Sequence, residues 1–415
     1  MTRWPLTPRG TGAVLLGLAS FVLAPIVGVP ALVFFGVLLV AVVALSFASL
    51  WLGHRADGVH RSFAPDVAAV GGEVDVRVRV DSRSMLPTVV GTWHDRLPRG
   101  VDGEPTGVYP ALRSGLAAGS HRVDIAYRVH ARRRGVRPIG PLVVETTDPF
   151  GLTRRLQQLG GSVPLTVTPA FIPLEVLDDL PGAAGGTIQS TTDRLGQGAD
   201  NLIPRAYAPG DSMRRIHWRA SAHRGELMVR QEERESNPEA VIVFDRTAAR
   251  WTSEALRSPG EDPGFEAAVS TVVSAAARFV REGYSVAVID VDGAELVPGL
   301  EGGDTTALEA MTTAFATLTA RRDGSLRDLA PLFAGSTLGP VVVVTGEVDV
   351  TDAASLAPVV THSSMPVLFV EGSADAALRT AREAGWRVHR LEPEDELDSL
   401  WPGGVGTEGM RAHAG

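Results

Sequence analysis

The chain has 415 residues, of which 44% are hydrophobic, so it is long enough for two or more folded units with packed cores. Its formal net charge of −9 argues against general nucleic-acid binding, which needs a dominant positive field. It contains no cysteine and no lysine, which excludes disulfides, cysteine-ligated zinc and a P-loop lysine, and we expect the chain to bind no nucleotide itself.

Two uncharged apolar segments stand near the start, at Thr11–Gly28 and Val29–Leu52. Each is long enough to cross a hydrocarbon core of about 30 Å at about 1.5 Å per residue. The pattern predicts a transmembrane helical hairpin within residues 10–53, preceded by a cytoplasmic tail of residues 1–9. A signal peptide with one anchor, or a buried hairpin in a soluble protein, fits less well because no cleavage site and no polar face is evident.

Arginine positions predict the orientation of this hairpin. Arg3 and Arg9 precede the first segment, Arg55 and Arg61 follow the second, and the turn between the segments is uncharged. The positive-inside rule then places both ends, and the large remaining part of the chain, on the cytoplasmic side of a multi-pass membrane protein.

Residues 60–172 have the period-two pattern of β-strands. Glu73–Ser82 and His121–Gly135 alternate apolar with charged residues, and the segments 139–151 and 163–171 indicate further strands. Glycine and proline interrupt the pattern at the spacing typical of a β-sandwich. We predict an antiparallel β-sandwich whose arginines form a solvated strand face.

Residues 180–237 combine a linker with a basic segment. Leu180–Asp200 is rich in Gly, Ser and Thr, as linkers are. Arg205–Arg230 then holds six arginines and two histidines against Asp211 and Glu226. We expect Asp211 to cap a short helix over Ser212–Ala222, followed by a strand.

Residues 238–395 alternate buried strands with helical patterns. Ala240–Asp245, Tyr284–Asp290 and Pro340–Gly346 are apolar runs, and they are separated by helices such as Phe265–Gly283 and Asp304–Arg322. This alternation predicts a doubly wound α/β sheet, and the glycine-rich residues 396–415 are predicted to be a disordered tail. Because ligands bind at the carboxyl ends of such strands, function is expected near Asp245. No G-x-G-x-x-G motif supports a dinucleotide site.

The order of these segments and the motif Y-x-x-G-D-x-x-R-x-I-x-W resemble the domain of unknown function 58 family. The residues in the motif positions are Tyr207, Gly210, Asp211, Arg214, Ile216 and Trp218. One departure is His223, since many members carry arginine at that point. The resemblance implies that the α/β unit is a von Willebrand factor A-like domain.

Many von Willebrand factor A domains bind a divalent metal through a D-x-S-x-S loop. Asp245 and Thr247 match that pattern, whereas Ala249 does not, and Arg246 adds a cation beside the site. The alternative is that Asp245 caps the next helix or pairs with a nearby arginine. We predict no cofactor and no bound metal, with Asp245 and Thr247 as the weak candidate ligands.

The resemblance also implies a role in the bacterial cell membrane, beside a MoxR-type AAA+ ATPase and other membrane proteins. We therefore predict a non-enzymatic adaptor or scaffold, bound to the lipid bilayer, for protein-complex maturation or cell-envelope assembly. One alternative is a metal-dependent enzyme acting on envelope material, centred on Asp245 and the histidines. Another is a purely structural membrane protein.

The basic segment admits four interpretations. It could be a nucleic-acid grip, a catalytic centre built from His217, His223 and Asp211, a clamp between the sandwich and the α/β unit, or a partner surface. No catalytic motif supports the second, and we predict no catalytic residue. The residues predicted to form the motif and to bind a partner are Arg205, Tyr207, Gly210, Asp211, Arg214, Arg215, Ile216, His217, Trp218 and Arg219.

Overall fold

The structure is a computed structural model. It describes residues 4–52, 54–84, 89–111, 121–174, 177, 202–207, 216, 218–232, 238–334 and 338–391. The predicted linker at 180–200 and the predicted tail at 396–415 lie outside the described residues.

The two apolar segments form helices α1 (Pro8–Val27) and α2 (Ala31–Leu52). Both are long and apolar enough to cross a membrane. Gly28 ends α1 in the left-handed conformation, at φ 72°, which an L side chain rarely adopts, and the chain reverses there. A Cβ atom on Gly36 would lie 2.9 Å from the Gly17 carbonyl oxygen, so the two helices approach closely at glycine positions. The predicted helical hairpin is therefore present.

The next part of the chain consists of β-strands joined by turns. Their bounds are β1 (His54–Ala64), β2 (Val67–Ala69), β3 (Glu73–Ser84), β4 (Gly91–Asp95), β5 (Val101–Gly103), β6 (Thr106–Tyr109), β7 (His121–Ala131), β8 (Gly135–Ile139), β9 (Leu142–Thr147), β10 (Arg154–Leu159) and β11 (Val163–Thr168). They form sheets in the orders β1-β3-β7-β5, β10-β9-β4-β6 and β2-β11-β8. All pairs are antiparallel except β2 with β11, and buried side chains from all three sheets share one core.

The predicted solvated face of arginines is confirmed only in part. Arg79 and Arg128 are exposed and pair across strands with Asp124 and Asp75, as a solvated face requires. Arg61 and Arg134, in contrast, are buried, so the prediction is wrong for them. In both cases a buried carboxylate supplies the charge that water would otherwise solvate.

Arg61 belongs to the core of the sandwich and not to a membrane flank. Its Nη2 lies 2.7 and 2.9 Å from the two Asp95 carboxylate oxygens, and the Tyr127 hydroxyl donates to the same carboxylate at 2.6 Å. The predicted cytoplasmic orientation of the chain stays a prediction.

Arg134 fastens the sandwich to the α/β unit. It lies in the arginine turn (Arg132–Gly135) between β7 and β8, and its side chain is 1% exposed. Its guanidinium donates to both Glu266 carboxylate oxygens, at 2.5 and 2.6 Å, and to the carbonyl oxygens of Phe315 and Leu318. This buried bidentate pair is a clamp of the kind considered for the basic segment, at a different place in the chain.

The basic segment forms a small unit, here called the motif unit (described residues 202–207, 216 and 218–232). Strands β12 (Leu202–Ala206) and β13 (Met228–Glu232) are antiparallel, and helix α3 (Trp218–Arg224) lies between them in the chain. The strand after the helix is confirmed, whereas β12 was not predicted. The helix begins at Trp218, later than the predicted start at Ser212, because Ile216 forms a β-bridge with Val229. It continues two residues beyond the predicted end at Ala222 because Gly225, at φ 72°, can donate its N–H to the Ser221 carbonyl.

The last part of the chain is an α/β unit. Its elements are β14 (Glu239–Phe244), α4 (Pro263–Arg281), β15 (Ser285–Ile289), α5 (Thr305–Phe315), α6 (Leu329–Leu332), β16 (Leu338–Thr345), α7 (Val350–Ser355), α8 (Ala357–Val360), β17 (Ser363–Val370), α9 (Asp375–Glu383) and β18 (Arg387–Arg390). The sheet is parallel throughout, in the order β15-β14-β16-β17-β18. Helices α4 and α5 cover one face, and α6 to α9 cover the other.

The helix predicted over Asp304–Arg322 ends earlier, at Phe315. The residues that follow are used by the loop after β14 instead. Arg321 donates its backbone N–H to the Arg246 carbonyl at 2.8 Å, and its own carbonyl accepts from Ala248 at 2.7 Å. These long-range bonds replace the intrahelical ones that the sequence pattern predicts.

Candidate functional site

The strand order puts Asp245 beside the position at which open α/β sheets bind their ligands. In an open parallel sheet, ligands bind outside the carboxyl ends of the strands, where the chain order reverses direction. Here the reversal falls between β14 and β16. Asp245 follows β14 directly and Thr345 ends β16. We call Asp245, Thr247, Arg250, Thr345 and Asp352 the switch-point cluster.

Asp245 is fully buried and its carboxylate is surrounded by donors. Oδ1 accepts the Thr247 N–H at 2.9 Å, and Oδ2 accepts the Thr345 hydroxyl at 2.9 Å. Nε of Arg250 lies 2.8 Å from the same Oδ2. The carboxylate is thus compensated by side chains of its own domain, which agrees with the alternative that Asp245 pairs with a nearby arginine.

Arg250 connects the loop after β14 to helix α7. Its Nη1 and Nη2 donate to the two carboxylate oxygens of Asp352, at 2.6 and 3.0 Å. Nη1 also donates to the Glu347 carbonyl at 3.1 Å. A Cβ atom on Gly346 would lie 2.1 Å from the Arg250 carbonyl oxygen, so only glycine allows the strand end to come this close. One guanidinium therefore neutralises two carboxylates at the reversal point.

A second charged group occupies the neighbouring strand end. Asp290 follows β15, is fully buried, and lies 2.8 Å from Nη2 of Arg246 and 3.1 Å from Nε of Arg321. Arg321 also donates to Asp292 at 2.6 Å. Arg246, which the sequence suggested as a cation beside Asp245, is thus directed to the adjacent acid. Buried acids paired with arginines therefore follow both β14 and β15.

The protonation of these acids follows from burial and pairing. Burial raises the pKa of Asp245, while the hydrogen bonds from Thr247 and Thr345 and the Arg250 charge oppose that rise. The hydrogen bond from Arg250 lowers the pKa of the Asp352 carboxyl. Arg321 and the Ala294 N–H lower that of Asp292. The arginine pairs thus favour the charged form of the acids at the rim.

A divalent metal does not fit the switch-point cluster. Such an ion requires about six oxygen ligands, including ionised carboxylates. The Thr247 hydroxyl is buried without a hydrogen bond, which by itself would favour a ligand. However, the cation already beside the Asp245 carboxylate is the Arg250 guanidinium, and within the described parts of the chain no group of three His, Asp or Glu side chains could hold a metal.

The structure describes only part of the predicted motif surface. Ile216 is buried and bridges to Val229, and Tyr207 donates its N–H to the Leu227 carbonyl at 2.8 Å. Arg205 lies in β12 and Arg219 in α3. The remaining predicted residues, Gly210, Asp211, Arg214, Arg215 and His217, lie outside the described residues, and so do the predicted helix cap and the proposed histidine–aspartate arrangement.

Trp218 is the most exposed large apolar residue among the described residues of the motif unit. Its side chain is 68% exposed at the start of α3. The other side of the unit is fixed: Ser221, Met228 and Val229 are buried, and the Ser221 hydroxyl accepts the Met228 N–H at 2.8 Å. A large aromatic side chain therefore projects into solvent from a well-packed support.

Residues 204–330 match the family model described as Protein of unknown function DUF58. The match covers most of the motif unit and the first half of the α/β unit, and it confirms the resemblance found from the motif. No curated protein matches the chain.

Two solved structures share limited similarity with the chain. A von Willebrand factor type A protein from Catenulispora acidiphila is 13% identical, at a TM-score of 0.28, over 40% of this chain and 41% of that one. An alkylpurine DNA glycosylase, AlkC, from Pseudomonas fluorescens, bound to DNA containing an abasic site analog, is 14% identical, at a TM-score of 0.18, over 29% and 33%. The chain spans less than half the length of either protein. Both scores are too low to define a fold, so the architecture rests on the strand order itself.

Sequence reasoning did not identify Arg250 and Arg134 as the partners of buried acids, nor Asp352 as the second carboxylate that Arg250 binds. Arg250 stands five residues after Asp245, a spacing that matches no ligand motif. Asp352 and Glu266 are about a hundred residues or more from the arginines that they bind. For Arg134 the sequence offers only its place in a run of three arginines before Gly135, which does not indicate a partner.

Proposed function

We propose that the chain is a membrane-anchored, non-enzymatic adaptor that binds a protein partner through the motif unit. The observation that carries this proposal is Trp218. Tryptophan is among the residues that contribute most to protein–protein affinity. Its contribution is largest when the surrounding structure is already ordered before binding, because little conformational entropy is then lost. Trp218 has both properties, since it is exposed and α3 is held by the buried residues Ile216 and Met228.

The charged sheet edge supports a binding role over a catalytic one. A general base or nucleophile needs a free lone pair directed at a substrate. The Asp245 and Asp290 carboxylates are instead buried against Arg250, Arg246 and Arg321. We propose that this unit is a von Willebrand factor A-like domain in which Arg250 provides the positive charge that a metal ion provides in other such domains.

Membrane anchoring is proposed from the helical hairpin. Apolar side chains such as Ile26, Phe34 and Leu45 are exposed along α1 and α2, which is unfavourable in water and expected against lipid. The partner proposed from the family resemblance is a MoxR-type AAA+ ATPase, and the adaptor would hold it at the bilayer.

The test is capture of a purified MoxR-type ATPase by the full-length chain in detergent, with and without nucleotide. We compare wild type with Trp218→Ala and use Val108→Ala as the matched control, since Val108 is an equally exposed apolar residue of the sandwich. We expect Trp218→Ala to reduce capture at least tenfold with an unchanged melting temperature, and Val108→Ala to leave both unchanged.

The proposal is wrong if wild type fails to capture the ATPase in every nucleotide state, or if Trp218→Ala captures it normally. A variant that melts early would instead indicate a structural role for Trp218. The metal-dependent alternative is tested on the same preparation by metal analysis. Stoichiometric metal that is lost on Asp245→Ala would support that alternative.

A further inference from the structure

The loop between β9 and β10 lies against the ends of the two membrane helices. We call this loop, Asp148–Thr153, the DPFG loop. Thr7, which caps α1, donates its N–H to the Leu152 carbonyl at 2.9 Å and its hydroxyl to the Gly151 carbonyl at 2.6 Å. Leu6 and Thr153 form an antiparallel bridge. The loop and the start of α1 are thus joined through their backbones.

Two further contacts fix the same end of the hairpin. A Cβ atom on Gly10 would lie 1.9 Å from the Leu152 carbonyl oxygen, so α1 accepts the loop only at a glycine. Arg155 donates from Nη1 to the carbonyl oxygen of Leu50, near the end of α2, at 2.6 Å. The sandwich is therefore held at the open end of the hairpin, within about one turn of both helix ends.

The DPFG loop is also fixed internally. The Asp148 carboxylate is buried and accepts the Phe150 N–H at 2.9 Å, the Thr153 N–H at 2.5 Å and the Thr153 hydroxyl at 3.1 Å. Burial opposes ionisation, but these hydrogen bonds lower the pKa of Asp148 below its ordinary value. The loop therefore presents Phe150, 62% exposed, in one defined direction.

We propose that Phe150 inserts into the headgroup region of the bilayer and that the DPFG loop seats the sandwich on the membrane surface. This inference rests on the proposed membrane anchoring. Helices of about 20 residues span about 30 Å, so the first turn of α1 and the last turn of α2 lie at the interface. The DPFG loop is bonded to the first turn of α1, and Arg155, two residues after the loop, is bonded to the last turn of α2, so the loop lies at the same depth.

The neighbouring side chains fit a lipid interface. Trp4 is exposed, and its carbonyl accepts from Arg154, the residue that follows the DPFG loop, at 3.2 Å. Arg9 is exposed near Gly151. Aromatic rings are favoured at the headgroup level, and arginine is attracted to anionic headgroups. Because the loop is already ordered, insertion costs little conformational entropy.

The absence of cysteine allows a direct test with single-cysteine variants. Phe150→Cys, Val108→Cys and Leu38→Cys are each labelled with an environment-sensitive fluorophore in the full-length chain. Val108 is the matched exposed position on the sandwich, and Leu38 is an exposed position within α2. The labelled proteins are placed in nanodiscs of phosphatidylcholine and phosphatidylglycerol. Quenching by aqueous iodide and by lipids brominated at known depths is then measured.

We expect the label at position 150 to be several-fold less quenched by iodide than the label at 108, and to be quenched by shallow bromines. The label at 38 should respond only to deep bromines. Equal iodide quenching at 150 and 108, with 38 protected, overturns the inference and leaves the membrane hairpin intact. Iodide quenching at 38 overturns the membrane anchoring itself.

A protein partner is the remaining occupant of this surface. If the label at 150 is accessible in nanodiscs but protected in native membranes, a protein covers Phe150, and the lipid proposal is wrong. Melting temperatures of the three variants are measured in parallel. Because Phe150 and Val108 are exposed, we expect both of these variants to melt like the wild type.

Discussion

The arginine turn and the motif unit are both rich in arginine, yet they have opposite environments. In the arginine turn, Arg134 is buried and its charge is neutralised by Glu266 on another folded unit. In the motif unit, the described residues that are buried carry no charge, and Trp218 faces solvent. The comparison teaches that a basic sequence does not reveal its own role. A role as a clamp or as a surface depends on whether the fold brings a buried acid to the arginine.

The largest expected effect is on the clamp. Arg134→Ala leaves the Glu266 carboxylate buried without its partner, and we expect a loss of about 3–5 kcal/mol in the free energy of unfolding. Chemical denaturation of the full chain in detergent measures this loss. Arg132→Ala, in the same turn but with a half-exposed side chain, is the matched control and should lose much less. Equal losses in the two variants would show that Arg134 is not the clamp.

A double variant sharpens this prediction. Arg134→Met with Glu266→Leu removes both charges together, so no unpaired carboxylate remains. We expect this variant to be more stable than Arg134→Ala. A sum of the two single losses would instead mean that the two residues act independently.

The next expected effect concerns the switch-point cluster. There the buried acid and its arginine belong to the same folded unit, unlike the acid and the arginine of the clamp. Arg250→Met leaves Asp245 buried without its cation, and we expect a loss of roughly 3 kcal/mol in the free energy of unfolding. Adding Asp245→Asn should restore part of that loss. Arg322→Ala is the control, because Arg322 is exposed nearby. If Arg250→Met instead gains stoichiometric divalent metal, the cluster is a metal site blocked by arginine.

In the motif unit the same comparison predicts lost binding without lost stability. Trp218→Ala should change the free energy of unfolding by less than about 0.5 kcal/mol, since the ring is exposed. Partner affinity should fall by about 2 kcal/mol or more. Denaturation and equilibrium binding of the same preparation test both parts. A large loss of stability would indicate that Trp218 has a structural role, as Arg134 has in the clamp.

The smallest effect is a dependence on acid pH. Arg250 lowers the pKa of Asp352 and Arg321 lowers that of Asp292, from an ordinary value of 3.8. A carboxyl group whose pKa is lowered in the folded state stabilises the fold at pH values above 3.8. This stabilisation is lost as the pH falls through the pKa of the folded state. The stability difference between wild type and Arg250→Met should therefore shrink below pH 3.8. A constant difference would show that pairing with Asp352 adds no stability.

Local patterns allowed much of the architecture to be predicted. The uncharged runs predicted α1 and α2, the alternating valines predicted β3, and the buried run before Asp245 predicted β14. Each of these patterns lies within one element, so its periodicity can be recognised without knowledge of the fold. The short strand β12 was missed because it contains Pro204 and because its partner strand β13 lies more than twenty residues later.

The sequence by itself determined most of the elements and which residues can lie in their interiors, because helix and strand periods and the cost of burying charge act locally. The family motif was also contained in it. Only the tertiary structure decided which charges meet. Arg134 with Glu266, Arg250 with Asp352, and the DPFG loop with the helix ends are pairs distant in sequence. Their energies depend on separation and burial, and both are properties of the folded chain alone.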